Sequence, residues 1–490
     1  MNISHGSQQH KVTVAFVLGA FFVLYATASA AKTLYVDANS GSDSTTYADN
    51  GSAAPWATIG RAAWGSSSRS SPNASQAAQA GDTVIVRAGT YTTTGTVSRQ
   101  TPAYNPANSG TAGNPITFQA EGAVTLRYSS GIGPVIGAFQ RNYITWRGFR
   151  LDEALTPAAS DTGPVVLWEA TGGVIEYCEI DGNGASFASG ELHNGVRINA
   201  GGGHTVRHNY IHDFRNTGSG SNASAILVDH SAGGVIEHNE IANSDGVFFI
   251  KRNYNAPGRW IVRYNYGHDS WMGIRADQLT RSAANPAHGV DIYQNLLVNI
   301  QESAFMTHHY EGSNSYYIRI VNNTVKNCGS AFHGSALSAN AGHVFQNNIV
   351  VGCPLGFRSA GYADAWTNST LDVRHNMYRS MTGAAMFQYD TSGQNTLSFA
   401  AWQALGHDSA SPASRVADPL FVNDTGGNYR LQAASPARNA GVDRLDLNAN
   451  GSTSDLVPLG AYITGSEIIG RDADGSTTPT PEPPSNVTAE

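Results

Sequence analysis

The chain reads RHNYI at 207–211, EHNEI at 237–241, RYNYG at 263–267, YQNLL at 293–297, NNTV at 322–325, NNIV at 347–350 and RHNMY at 374–378. The central asparagines Asn209, Asn239, Asn265, Asn295, Asn323, Asn348 and Asn376 follow one another in steps of 30, 26, 30, 28, 25 and 28 residues. One step earlier, EYCEI (176–180) puts Cys178 at the same place. Self-similarity at this period marks a solenoid. The flanking residues alternate and are rich in β-formers, with no 3.6-residue apolar period, which argues against helical repeats. A short-stranded coil with an inward asparagine at a fixed bend reads as an all-β, single-stranded right-handed parallel β-helix of about ten coils. Each asparagine is expected to bond its equivalent one coil away, as in other stacked-strand assemblies.

Composition agrees with that reading. Of 490 residues, 41% are hydrophobic, 53 are glycine and only 13% are charged, about half the usual charged share. Coiled coils need denser Glu and Lys, and disordered chains need more net charge and fewer aliphatic residues. The formal net charge is −8 without a basic stretch, so the footprint of a nucleic-acid binder is missing.

The ends are read separately. Lys11, the apolar run VTVAFVLGAFFVLY (12–25) and Ala28-Ser29-Ala30 have the order of a cleaved export signal. A secreted or periplasmic protein acting as a monomer, off the membrane once the signal is removed, is expected. Residues 31–120 are expected to hold N-terminal strands (33–37 and 83–91) and a capping helix over PWATIGRAAW (55–64), which would cover the open solenoid end. Residues 121–400 form the β-helix, 401–470 a C-terminal cap, and 471–490 a Pro/Thr-rich tail. Cys328 and Cys353 each lie five residues after a ladder asparagine. They should stack one coil apart with nearly parallel side chains, which is poor disulfide geometry, so buried free thiols are expected.

A second strand follows each ladder segment, and these align as GVRIN (195–199), AILVD (225–229), VFFIK (247–251), GIRAD (273–277), AFMTH (304–308), AFHGS (331–335) and GFRSA (356–360). Side chains alternate across a strand. The outward third positions are Arg197, Leu227, Phe249, Arg275, Met306, His333 and Arg358. The outward fifth positions are Asn199, Asp229, Lys251, Asp277, His308 and Ser335. One face thus collects the charges of a charge-poor chain. Continuous faces of repeat proteins hold extended ligands, and a polysaccharide is one. A plain surface ion-pair ladder through Asp229, Lys251 and Asp277 would look the same in sequence, at about 0–1 kcal/mol per pair.

Three functions fit this face. In β-elimination of a uronate polymer, a base removes the C5 proton while a cation neutralises the carboxylate. Lys251 would be the base and Arg275 the neutraliser. Asp229 and Asp277 beside Lys251 are expected to raise its pKa, which leaves His308 or Tyr310 as an alternative base. In hydrolysis, Asp229 and Asp277, two rungs or about 9.6 Å apart, would be the carboxylate pair of an inverting enzyme. A non-catalytic face would only grip glycan through Arg197, Asn199, Asp229, Asp277, Tyr310, His333 and Arg358.

Lys251 in VFFIKR and Arg275 in MGIRAD, 24 residues apart, resemble the Lys and Arg on successive coils in the alginate lyase and chondroitinase B family of β-helix polysaccharide lyases. The opening LYVDANSGSDS, PWATI and AGDTVIVRAGTY resembles the start of many secreted bacterial right-handed β-helix proteins. At the level of architecture the likeness covers roughly 33–435. It implies a secreted lyase acting on a uronate polysaccharide such as alginate. Many members of that family carry calcium-binding carboxylates five and seven residues before the Lys; here those positions are Gly246 and Ser244. The sequence requires no cofactor. Its one calcium candidate is DLNANG (446–451), with Asp446, Asn448 and Asn450 in the order of a calcium loop. Val457 stands where the closing Glu would be. An Asx-rich turn before a closing strand at 459–463 is the alternative reading.

Overall fold

The computed structural model describes residues 30–156, 161–184, 192–215, 222–252, 258–277, 289–307, 317–334, 342–359, 371–380, 386–388, 396–409 and 414–471. Residues 1–29 of the export signal reading, His308, Tyr310, Ser335 and residues 472–490 of the Pro/Thr tail fall outside them. Among the described residues no helix is long and apolar enough to cross a membrane.

The chain is an all-β parallel solenoid. The central coils each contribute three short strands, as in Gly202–Arg207, Tyr210–His212 and Ser224–Asp229, and these pair in parallel with their equivalents one coil before and after. The first ladder runs from Thr33–Val36 to Leu371–Arg374, and with the second it forms one 22-stranded sheet. The third runs in parallel from Ile136–Phe139 to Phe387–Gln388, where Thr396–Leu397 closes it antiparallel.

The asparagine repeat marks the corner between the first two ladders. Asn209 donates from Nδ2 to Asn239 Oδ1 at 2.9 Å, Asn239 to Asn265 at 3.0 Å, Asn265 to Asn295 at 3.0 Å and Asn295 to Asn323 at 3.0 Å. Each Oδ1 also accepts the backbone N–H of the asparagine one coil earlier. The ladder therefore satisfies buried amides that the bend removes from strand pairing. The residue before each asparagine lies in the left-handed region, with φ of 55° at His208, 53° at His238 and 57° at Tyr264. Non-glycine residues rarely adopt that conformation. Here the rings of Tyr177, His208, His238 and Tyr264 stack at 4.7, 4.9 and 4.9 Å, so strained corners gain ring contact in return.

Inside the later coils, Phe305, Phe332, Phe345, Phe357 and Phe387 pack edge-on or tilted. Trp402, on the helix Phe399–Ala404, stacks on Phe387 at 4.5 Å and on Phe357 at 5.2 Å. At the other end, the helix Ile59–Trp64 is capped by Thr58 and ended by Gly65 at φ 69°. It is shorter than the ten-residue segment expected from sequence, because Trp56 instead bridges to Val36 as extended chain. All three cysteines are buried free thiols. The Cys328 backbone N–H points at Cys353 Sγ, 3.4 Å away.

Residues 417–471 return along the outside of the second ladder. Leu296, Val298, Ile349, Val351 and Met377 there pack with Phe421, Tyr429, Ala437, Leu459, Ala461 and Tyr462. The closing strand expected at 459–463 forms instead at Leu456–Val457, antiparallel to Gly441–Val442. Residues 460 and 461 instead donate to Asn347 and Thr324 of the solenoid.

Candidate active site on the third ladder

The alignment of outward positions read from sequence is the register of the third ladder. Arg197 pairs with Leu227, Leu227 with Phe249, Phe249 with Arg275, Arg275 with Met306, Met306 with His333 and His333 with Arg358. Asn199, Asp229, Lys251 and Asp277 likewise stand on successive rungs.

These residues are not the solvated surface ladder that sequence also allowed. The side chains of Arg197, Asp229 and Asp277 are 5%, 3% and 3% exposed and that of Lys251 14%. Charges so enclosed must be paired or neutralised. Asp229 takes the Nε and Nη2 of Arg252, His230 Nδ1 at 2.8 Å and Arg197 Nη2 at 3.6 Å. Arg197 also reaches Asp161 at 2.9 Å. Asp277 takes Arg275 through Nε and Nη2, both at 2.6 Å. Lys251 donates to Asn222 Oδ1 at 2.7 Å and stands 4.0 Å from Asp229.

That arrangement reverses the expected shift at Lys251. Burial is the largest influence and lowers its pKa to about 8; Asp229 opposes it, while Arg252 and Arg197 add to it. Asp229 counts for less than its position suggests because several cations share it. Its own carboxyl lies below the usual range: burial works to raise it, and the Arg252 hydrogen bond with the charges of Lys251, Arg252 and His230 outweighs that. Asp229 is thus held as a carboxylate, which removes it as the acid of a hydrolytic pair.

Lys251 Nζ and the Arg275 guanidinium both lie over the Phe249 ring, at 5.0 and 4.6 Å. Further along, His333 and Arg358 converge on Glu302, at 3.5 and 3.9 Å. Burial works to raise the pKa of Glu302, and His333, Arg358 and Arg275 bring it down. Trp271, just before the strand Met272–Asp277, is an exposed ring.

Sequence reasoning missed Arg252, Asn222, His230, Glu302 and Asp161. Arg252 follows the strand Gly246–Lys251 with φ 55°, and this corner is what lets its side chain return to Asp229. The signal available was the basic pair Lys251-Arg252 closing a strand aligned with an acid.

The DLNANG segment is a turn network. Asp446 Oδ1 accepts the backbone N–H of Asn450 and Gly451, Asn448 Oδ1 that of Asn450, and Asn450 Oδ1 that of Ser452. Both side-chain amides donate to Asp455, at 2.7 and 2.9 Å. The oxygens a calcium loop would present are engaged by the turn itself, as in the Asx-turn alternative.

No family model and no curated protein matches this sequence. Among solved structures, the crystal structure of pectate lyase Pel9A is similar over 89% of this chain and 97% of its own, at 16% identity and a TM-score of 0.55. A mannuronic acid specific family 6 polysaccharide lyase from human gut microbiota is matched at 15% identity over 71% of this chain and 75% of its own, with a TM-score of 0.39. A rhamnogalacturonan lyase is matched at 14% over 72% and 89%, with a TM-score of 0.42. The parallel β-solenoid of this chain is therefore a fold it shares with a pectate lyase.

Proposed function

We propose that the protein is an exported lyase that cleaves a uronate-containing polysaccharide such as alginate by β-elimination on the outward face of the third ladder. The observation that carries this reading is Lys251, a largely buried amine with its pKa lowered to about 8, one rung from Arg275. At pH 7 roughly a tenth of such an amine is unprotonated, against a negligible share of an ordinary lysine.

Neutral Lys251 takes the C5 proton of the uronate. The C5–H electron pair forms the C4=C5 double bond, the C4–O bond breaks, and the departing oxygen takes a proton from solvent. Charge develops on the uronate carboxylate as C5 loses its proton, and Arg275 stabilises it. Asp277 fixes the orientation of Arg275, and Asn222 that of Lys251. Asn199 and Arg358, with Tyr310 beyond the described residues, would hold neighbouring sugars; Arg197 and His333 are buried in ion pairs and would position the face from beneath. His308 remains the alternative base.

The test is incubation with a panel of uronate polysaccharides while absorbance near 235 nm and reducing ends are followed together. Unsaturated product supports elimination. Reducing ends without absorbance would indicate hydrolysis, and neither signal a binding face. If Lys251→Ala and Arg275→Ala both keep the wild-type rate, the residue assignment is wrong.

A further inference from the structure

The second ladder carries a cluster outside the proposed active site. His212 ends the strand Tyr210–His212, and its register partner one coil earlier is Asp181, at the end of the strand Glu179–Asp181. His212 Nδ1 lies 2.6 Å from Asp213 Oδ2 and 3.7 Å from Asp181 Oδ1, and the three ligand atoms lie within 4.8 Å of one another. Gly182 makes this convergence possible, because a Cβ there would stand 2.5 Å from the Asp213 carbonyl oxygen. Asn243 holds the other oxygen of Asp213, and the Asn183 backbone N–H bonds Asp181 Oδ1 at 2.6 Å.

We propose that Asp181, His212 and Asp213 bind a divalent first-row transition-metal ion of the zinc class, which ties together two successive coils. One imidazole nitrogen with two carboxylates suits such an ion, whereas calcium takes oxygen ligands alone. The far side of the ring is compatible with ligation, in an arrangement that His268 shares two coils on. His212 Nε2 is buried without a hydrogen-bond partner and lies 3.7 Å from Glu179 Oε1. A histidine that ligates through Nδ1 carries its proton on Nε2 and directs it at a carboxylate. For the neutral ring, metal binding moves the proton from Nδ1, where it bonds Asp213, to Nε2, where Glu179 accepts it. No proton is gained or lost overall.

The fold supplies its own control. Two coils on, His268 and Asp269 repeat the pair at 2.7 Å, with Glu240 3.5 Å from Nε2. The register partner one coil before His268 is Ala242, so among the described residues the third ligand is missing and the pair remains an ordinary hydrogen bond.

The ion would act at the feet of two connections to the third ladder. Asp181 precedes the one that reaches His193, and Asp213 begins the one that ends at Asn222, the partner of Lys251. The proposal does not depend on the lyase reading.

The full chain, stripped with chelator, is titrated with Zn2+ by calorimetry and by thermal melting, with Ca2+ as the hard-ion comparison. The expected result is one site whose affinity falls tenfold or more in Asp181→Asn and in His212→Ala but is unchanged in His268→Ala. Zinc should raise the melting temperature of the wild type and not that of Asp181→Asn, whose metal-free melting temperature should match the wild type. Nitrogen-15 NMR should show the His212 proton on Nε2 at saturating zinc. Equal zinc affinity in wild type and Asp181→Asn, retention of the Nδ1 proton, or equal binding of Ca2+ would each overturn it.

Discussion

The outward faces of the second and third ladders are built from the same coils and buried by opposite means. On the second, from Tyr266 to Met377, apolar side chains are roofed by residues 417–469. On the third, from Arg197 to Asp277, charged side chains are buried among one another. The first arrangement gains stability from area removed from water. The second costs desolvation that ion pairing only offsets, and its product is a lysine with a displaced pKa. A solenoid can therefore keep one face for stability and hold another in an electrostatically stressed state suited to proton transfer.

That contrast can be broken most sharply at Lys251. Replacement by Met should lower the elimination rate by roughly a hundred- to ten-thousand-fold while raising stability by about 1–3 kcal/mol, since the buried charge is removed; activity assays and urea titrations measure the two. Loss of both activity and stability would mean that Lys251 is a structural cation. Asp229→Asn should cost about 3–5 kcal/mol by removing the buried carboxylate that Arg252, Lys251 and His230 share, Arg197 keeping Asp161, read as a shifted urea midpoint. Leu296→Ala, under the roof of the second ladder, should cost about 2–5 kcal/mol with the rate unchanged. The pH profile refines the comparison further. A lysine whose folded pKa is lowered from 10.5 to about 8 is active unprotonated, so the rate should climb as pH rises through about 8. The folded state binds fewer protons than the unfolded one between those values, so this group's contribution to stability should also rise with pH across that window. The smallest effect is expected at Arg471, half exposed over Tyr210 and paired with Glu240, where Ala should cost under about 1 kcal/mol.

The legible part of the molecule was whatever repeats. Asn209 through Asn376 disclosed the corner, and alternation from that corner placed Lys251 on the outward face it shares with Phe249, one rung from Arg275, in the correct register. Three things did not repeat and were missed. Arg252 acts through a left-handed corner, which strand alternation cannot describe. The sign of the Lys251 shift depends on burial and then on the cations that share Asp229, and Arg197 is 54 residues distant in sequence from Lys251. Asp181 and His212 come together only through coil register across 31 residues; the recurring His-Asp pairs at 212–213 and 268–269 were the available clue.

The asparagine ladder also has a direction. It begins at the Cys178 backbone N–H and ends on Asp408 and Ser414, with Asn376 donating to both. Asp408 is further held by Tyr378 and Trp402. Every intermediate asparagine accepts from the coil before and donates to the coil after, so one added or deleted coil leaves each link with a partner. The start and stop are single residues, and the length between them is adjustable in principle. Residues 442–471 remove that freedom where they bind Asn347, Asn322, Gln294 and Tyr264 in descending order. They act as a measuring tape laid along the later coils, with Arg471 reaching back to Glu240 and Tyr210, so changes in coil number are tolerated before Tyr210 and penalised after it.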